Sequence, residues 1–87
     1  MEEKVEFTKY ASLQMKEREI NFEDVLEALK SPGQILSGKK GRKIAQKRLV
    51  RDGQNGLLRV ISEEKAKAKV VITAYWSSRI EKYWRKI

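Results

Sequence analysis

The sequence predicts an α+β domain. Two N-terminal helices pack on one face of an antiparallel four-stranded sheet, and a third helix ends the chain. Three observations lead there. Apolar residues recur at helical spacing up to Lys30 and at strand spacing after Gly33. The turn dipeptides Asp52-Gly53 and Asn55-Gly56 separate alternating segments, which favours hairpins over long crossovers. At 87 residues the chain makes one domain, 1–87, with a small core.

Each element has its own signal. Val5–Phe7 reads as a short strand. Thr8 caps a helix running to about Arg18, with Ala11, Met15 and Leu13 turned inward. Asn21 caps the second helix, with Asp24 three residues later. Phe22, Val25, Leu26 and Leu29 fall at i, i+3, i+4 and i+7, and Ser31-Pro32-Gly33 ends the run. Gln34–Ser37 is a short strand, followed by the basic turn Lys39-Lys40-Gly41-Arg42-Lys43. Ile44–Arg51 alternates, with Lys47 and Leu49 on one side and Gln46, Arg48 and Val50 on the other. Leu57–Ser62 and Lys69–Trp76 complete the meander, the latter rich in β-branched and aromatic residues. Ser78 and Glu81 frame a capping box for the last helix, whose apolar stripe is Ile80, Tyr83, Trp84 and Ile87.

Charge divides along the chain. Residues 1–38 hold five Lys+Arg and eight Asp+Glu, a net of −3; residues 39–87 hold fifteen against four, a net of +11, which together give the chain's +8. A basic surface of that kind is the footprint of a protein that meets phosphate backbones. There is no cysteine and no histidine. This removes disulfides, thiolate metal sites and the commonest general base, so any acid–base chemistry must run on Lys, Arg, Tyr, Asp or Glu. No cofactor or metal is expected. No apolar run reaches the roughly 18 residues of a membrane span, and residues 1–10 lack the apolar stretch of a signal peptide. The expectation is a cytoplasmic protein that meets no membrane.

The candidate nucleic-acid-binding residues are Lys39, Lys40, Arg42 and Lys43 in the turn, Arg48 and Arg51 on the next strand, and Tyr75. A plain solvated face is the alternative for the lysines. Arg59 interrupts the apolar run Leu57-Leu58-Arg59-Val60-Ile61 and shares a side with Leu57 and Ile61. It either holds a phosphate or pairs with a carboxylate such as Glu17. Trp76 and Trp84 are expected to anchor the last helix, which leaves Tyr75 and Tyr83 as the functional aromatics. Glu17 and Arg18 at the helix junction either form a site or, more simply, bridge the two helices.

The order of elements resembles the RelE/ParE superfamily of toxins. Several stretches are similar to an uncharacterised prokaryotic family within it: Tyr10-Ala11, Met15-Lys16-Glu17-Arg18-Glu19-Ile20, Phe22-Glu23-Asp24-Val25, Pro32, Leu58-Arg59-Val60-Ile61 and Val71-Ile72-Thr73-Ala74-Tyr75. Members of that family typically read His-Ala, then Arg-Met-x-Glu-Arg-Gly-Ile. RelE-type members cut messenger RNA on the ribosome with Lys, Arg and Tyr in place of histidine or metal. The resemblance implies a RelE-like fold and a metal-independent endoribonuclease. Lys47 (or Lys43) would be the base, Arg59 and Arg79 would stabilise charge, and Tyr83 would be the tyrosine of the last helix. It also implies RNA and an acidic antitoxin as partners. ParE-type relatives act on gyrase instead, so a non-catalytic nucleic-acid-binding module and an interaction protein stand beside the nuclease. Tyr10 stands where the closer family has histidine, and Glu19 where it has glycine. If that histidine carries the family's function, this chain lacks it.

Overall fold

In a computed structural model that describes residues 4–86, the chain opens with β1 (Lys4–Phe7), α1 (Lys9–Glu17) and α2 (Phe22–Lys30). β2 (Gln34–Ser37), β3 (Lys43–Arg51), β4 (Gln54–Lys65) and β5 (Ala68–Ser77) come next, and α3 (Ile80–Tyr83) is last. The sheet order is β1-β5-β4-β3-β2. The expected antiparallel four-stranded sheet is therefore corrected to five strands of mixed direction. β2 to β5 form the antiparallel meander, and β1 adds to its edge in parallel, pairing Lys4 with Ala68 and Phe7 with Val71. Helices and sheet alternate in sequence from β1 to β2, so the helices cross over from one edge strand to the other.

Local chemistry explains the helices. The Thr8 hydroxyl accepts from Ala11 N at 2.9 Å and the Asn21 side chain from Asp24 N at 2.8 Å, caps worth about 1 kcal/mol each. Between them Glu19 adopts φ 55, and Ile20 N returns to Met15 O at 2.8 Å. That left-handed residue turns the chain so that Ile20 drops into the core. Ala11, Met15, Ile20, Val25 and Ala28 pack there on Ala45, Leu58, Val60, Val71 and Ala74. A fully buried Met15 contributes on the order of 2 kcal/mol. Three expected core positions fail: Leu13 and Leu26 are exposed, and Phe22 stands edge-on to Phe7, 4.9 Å between centroids, with half its surface outside. The buried stripe of α2 is Val25 and Ala28, rotated away from Phe22 and Leu26.

One hairpin loop aligns the strands that carry the candidate residues. Asp52 and Gly53 both have positive φ, 51 and 76, the signature of a two-residue hairpin loop whose twist matches the strands. It sets the β3–β4 register, with Gln46 opposite Arg59 and Lys47 opposite Leu58. β4 then pairs with β5, Arg59 opposite Tyr75 and Leu58 opposite Trp76. A register shift after Ile61 lets both Val71 and Ala74 face the helices.

The last helix is also corrected. The capping box does not form: Arg79 N donates to Ser77 Oγ, and the helix spans only Ile80–Tyr83. Trp84 leaves it with ψ 123 and lies against Gly33, where a Cβ would come within 2.8 Å of the ring. Ile87 lies outside the described residues. Trp76 does not anchor this helix. It faces the turn between α1 and α2 over Gly56, donating from Nε1 to Leu49 O at 3.2 Å.

Candidate functional site

Strand alternation sorts the basic residues before any contact is considered. The helix-covered face carries Lys47, Leu58, Val60 and Trp76; the opposite face carries Gln46, Arg48, Arg59 and Tyr75. Arg59 occupies the middle strand of this second face and is only 8% exposed. Its Nε donates to Gln46 Oε1 at 2.6 Å, and its Nη1 donates to the Tyr75 hydroxyl. Its guanidinium lies 4.0 Å from the Tyr83 ring centroid and 5.5 Å from that of Tyr75. Nη2 bonds none of the described residues.

No carboxylate among the described residues pairs with Arg59. Glu17, the carboxylate weighed for that role, belongs to α1 on the other side of the sheet. A buried guanidinium without a counter-charge is costly unless its donors and π face are satisfied. Gln46, fully buried, supplies the neutral acceptor. Its amide orientation is dictated by chemistry. A guanidinium has only donors, so the amide oxygen must face Arg59. Gln46 Nε2 is then left to donate to Gln34 Oε1 and Tyr83 O, both at 3.1 Å.

The two phenols are driven apart. Burial pushes the Tyr75 phenol above its ordinary value of 10.0, against the opposing pull of Arg59. Burial acts upward on Tyr83 as well. It is outweighed there by a hydrogen bond from Tyr75 and by the charges of Lys82 and Arg59, so Tyr83 lies below 10.0. The rings meet edge-on, 6.3 Å between centroids. Two titratable groups displaced in opposite directions beside a cation are the arrangement that acid–base chemistry needs.

The other candidates are distributed more widely. Lys47, expected as the base, lies on the face that meets the helices, where it donates to Ser31 O at 2.9 Å and stands 3.9 Å from Glu27. Lys43, the alternative base, is also on the helix side, at the exposed start of β3. Arg51 is equally structural, holding Arg18 O and Glu19 O at 2.6 and 2.9 Å. Arg18 itself caps the free edge of β5 at Ala74 O, 3.0 Å. Arg42 pairs with Glu63 at 3.1 Å, which holds that carboxyl below its usual value. Arg48 lies 4.9 Å over the Trp84 ring. Lys39 and Lys40 remain exposed in the turn, and Arg79 is exposed at the start of α3. Tyr10 is exposed on α1, across the sheet from Arg59.

The structure therefore brings together Arg59, Tyr75 and Tyr83, with Lys82 beside them, and separates Lys47 from them. Gln46 and Gln34 are the members that sequence reasoning missed. Gln46 had a signal, since it is a polar residue opposite Arg59 once the Asp52-Gly53 turn sets the register. Among the described residues, no group of three or more His, Cys, Asp or Glu could hold a metal ion, and no helix is long and apolar enough to cross a membrane.

Residues 7–76 match the model of a family described as a domain of unknown function, DUF4258. That span takes in everything from the end of β1 to Trp76, and so Gln46, Arg59 and Tyr75, while Tyr83 and Trp84 fall beyond it. No curated protein and no solved structure matches the chain.

Proposed function

We propose, for a chain that belongs to the DUF4258 family of domains of unknown function, RNA binding with metal-independent cleavage of the strand. The observation that carries this reading is Arg59, a buried cation with no counter-charge among the described residues, an Nη2 that bonds none of them, and phenols of opposite tendency on either side. A phosphate supplies the missing negative charge and accepts from the free donors. Lys82 and the exposed cations Lys39, Lys40 and Arg79 extend the contact to neighbouring phosphates.

The groups present define the chemistry. Tyr83, the more acidic phenol, acts as its phenolate and takes the proton from a ribose 2′-hydroxyl as the 2′-oxygen forms a bond to phosphorus. Arg59 stabilises the charge that develops on the phosphoryl oxygens. Tyr75, the less acidic phenol, gives its proton to the departing 5′-oxygen as that bond breaks. The products are a 2′,3′-cyclic phosphate and a 5′-hydroxyl. The hydrogen bond between the phenols then returns the proton from Tyr83 to Tyr75. Messenger RNA in the cytoplasm, free or on the ribosome, is the proposed substrate.

The test is incubation of the protein with labelled RNA and with translating ribosomes, in the presence of a chelator. Cleavage should give a cyclic phosphate end, and Arg59→Ala or Tyr83→Phe should slow it by about 100-fold. Intact RNA under all these conditions would reject the nuclease. If binding persists and weakens linearly in log salt, the protein is a nucleic-acid-binding module without catalysis. The exposed lysines also suit an acidic protein partner, such as an antitoxin. Capture of one such protein by a variant that no longer binds RNA would favour that second reading.

A further inference from the structure

The segment from Arg79 to Lys86 does more than carry Tyr83. It crosses the second face of the sheet and roofs Arg59. Three contacts latch it down, and all of them come from β2, β3 and the turn before β2. Gln34 grips the Arg85 peptide at both ends, its Nε2 donating to Arg85 O and its Oε1 accepting from Arg85 N at 3.0 Å. Gln46 Nε2 donates to Tyr83 O at 3.1 Å. The Trp84 ring fills the space that Gly33 leaves by having no side chain, under Arg48.

These contacts close a circuit. Gln46 holds Arg59 with its oxygen and the roofing segment with its nitrogen. The Tyr83 ring, 4.0 Å from the guanidinium, occupies the side from which a phosphate would approach. The segment's regular structure is one helical turn of four residues; beyond this latch it is held by the Tyr83 ring against Arg59 and Tyr75. A segment held by a few contacts of this kind is shifted by any ligand that binds better once the segment has moved.

We propose that residues 79–86 form a strap that closes over Arg59 in the free protein and shifts aside when a single-stranded RNA phosphate binds, so that the Tyr83 ring leaves the guanidinium face while Tyr83, Lys82 and Arg79 stay at the rim of the site. The proposal rests on the RNA-binding reading and adds its regulation. Because the guanidinium lies recessed under the strap, a flexible single strand reaches it and a stiff duplex does not. The apparent affinity is the intrinsic affinity scaled by the fraction of open protein. Weakening the latch at a residue that does not touch the guanidinium should therefore tighten binding.

The experiment uses the full chain with Gln34→Ala and, separately, Trp84→Ala. Hydrogen exchange of the Trp84 and Arg85 amides reads the strap itself, and anisotropy of a short labelled oligouridylate reads binding. Both variants should exchange faster at those amides while the core stays protected, and both should bind the oligouridylate about tenfold more tightly. The same sequence annealed to its complement should bind more weakly than the single strand. Faster exchange with unchanged or weaker binding would overturn the strap and leave the RNA-binding reading standing. Absence of binding by the wild type and by both loosened variants would overturn that reading, and the strap's role with it. A strap whose exchange does not change in either variant would show that these contacts are not a latch, which also overturns the proposal.

Discussion

Gln46 and Arg59 stand directly opposite one another on neighbouring strands, joined by a 2.6 Å hydrogen bond between a fully buried amide and a nearly buried guanidinium. This pair makes a charge tolerable inside the sheet without cancelling it. Gln46→Leu should destabilise the protein by about 2–4 kcal/mol in urea unfolding, because it strands the Arg59 Nε and the Tyr83 carbonyl together. Gln46→Glu is the sharper test. It supplies a counter-charge that Arg59 lacks among the described residues; compared in a Gln34→Ala background, where the strap is already loosened, the fold should survive while RNA affinity falls about tenfold. Retained affinity would remove the argument that the uncompensated charge is the binding determinant.

The two phenols make a pH prediction. Ultraviolet titration should show that Tyr83→Phe removes a phenolate step below 10.0 and Tyr75→Phe removes one above it. Cleavage should rise with pH as Tyr83 ionises and fall again once Tyr75 does. For stability, the raised Tyr75 value means that the fold favours the neutral phenol. Its contribution is complete below pH 10 and is lost as pH rises through its displaced value. A cleavage profile unchanged by Tyr83→Phe would reject that residue as the base.

Lys47 should matter for stability alone. Its ammonium satisfies the Ser31 carbonyl just past the C-terminal turn of α2. Lys47→Ala should cost about 1 kcal/mol and leave RNA cleavage intact. A cleavage loss like that of Arg59→Ala would restore the sequence expectation that it is the base.

Glu19 sits at φ 55, where the resembling family has glycine. A side chain in that region costs roughly 1–2 kcal/mol, part of which the looser unfolded chain of a glycine variant would cancel. Glu19→Gly should therefore stabilise the protein by up to about 1 kcal/mol by thermal unfolding.

The sequence resolved most of the elements and the face assignments, because both arise from local periodicity and cap chemistry. Thr8 and Asn21 cap as expected, and Arg59 points away from Leu58 and Val60. The register was harder to see. Two turn dipeptides compete within five residues, and a loop at Asn55-Gly56 would have set Arg59 opposite Asp52 rather than Gln46. Only the actual loop at Asp52-Gly53 reveals the buried pair. The parallel strand was weaker still, since Lys4–Phe7 alternates without saying which strand it joins. The last helix misled for a physical reason. Its apolar spacing is real, but the docking of Trp84 on Gly33 and the grip of Gln34 on Arg85 outweigh continued helical hydrogen bonds.

The parallel edge has a consequence for how the molecule is made. β1 leaves the ribosome before the other strands, yet its only neighbour in the sheet, β5, is synthesised after β2, β3 and β4. Contacts between such distant segments form slowly, because a long loop must close before they reward it. During synthesis, α1 and α2 emerge with Ala11, Met15 and Val25 uncovered and no strand beneath them. Tyr75 arrives with β5 itself, and Tyr83 later still. A nascent chain halted before β5 thus has apolar helices and no assembled site, which makes it prey for chaperones and proteases rather than a ligand for RNA.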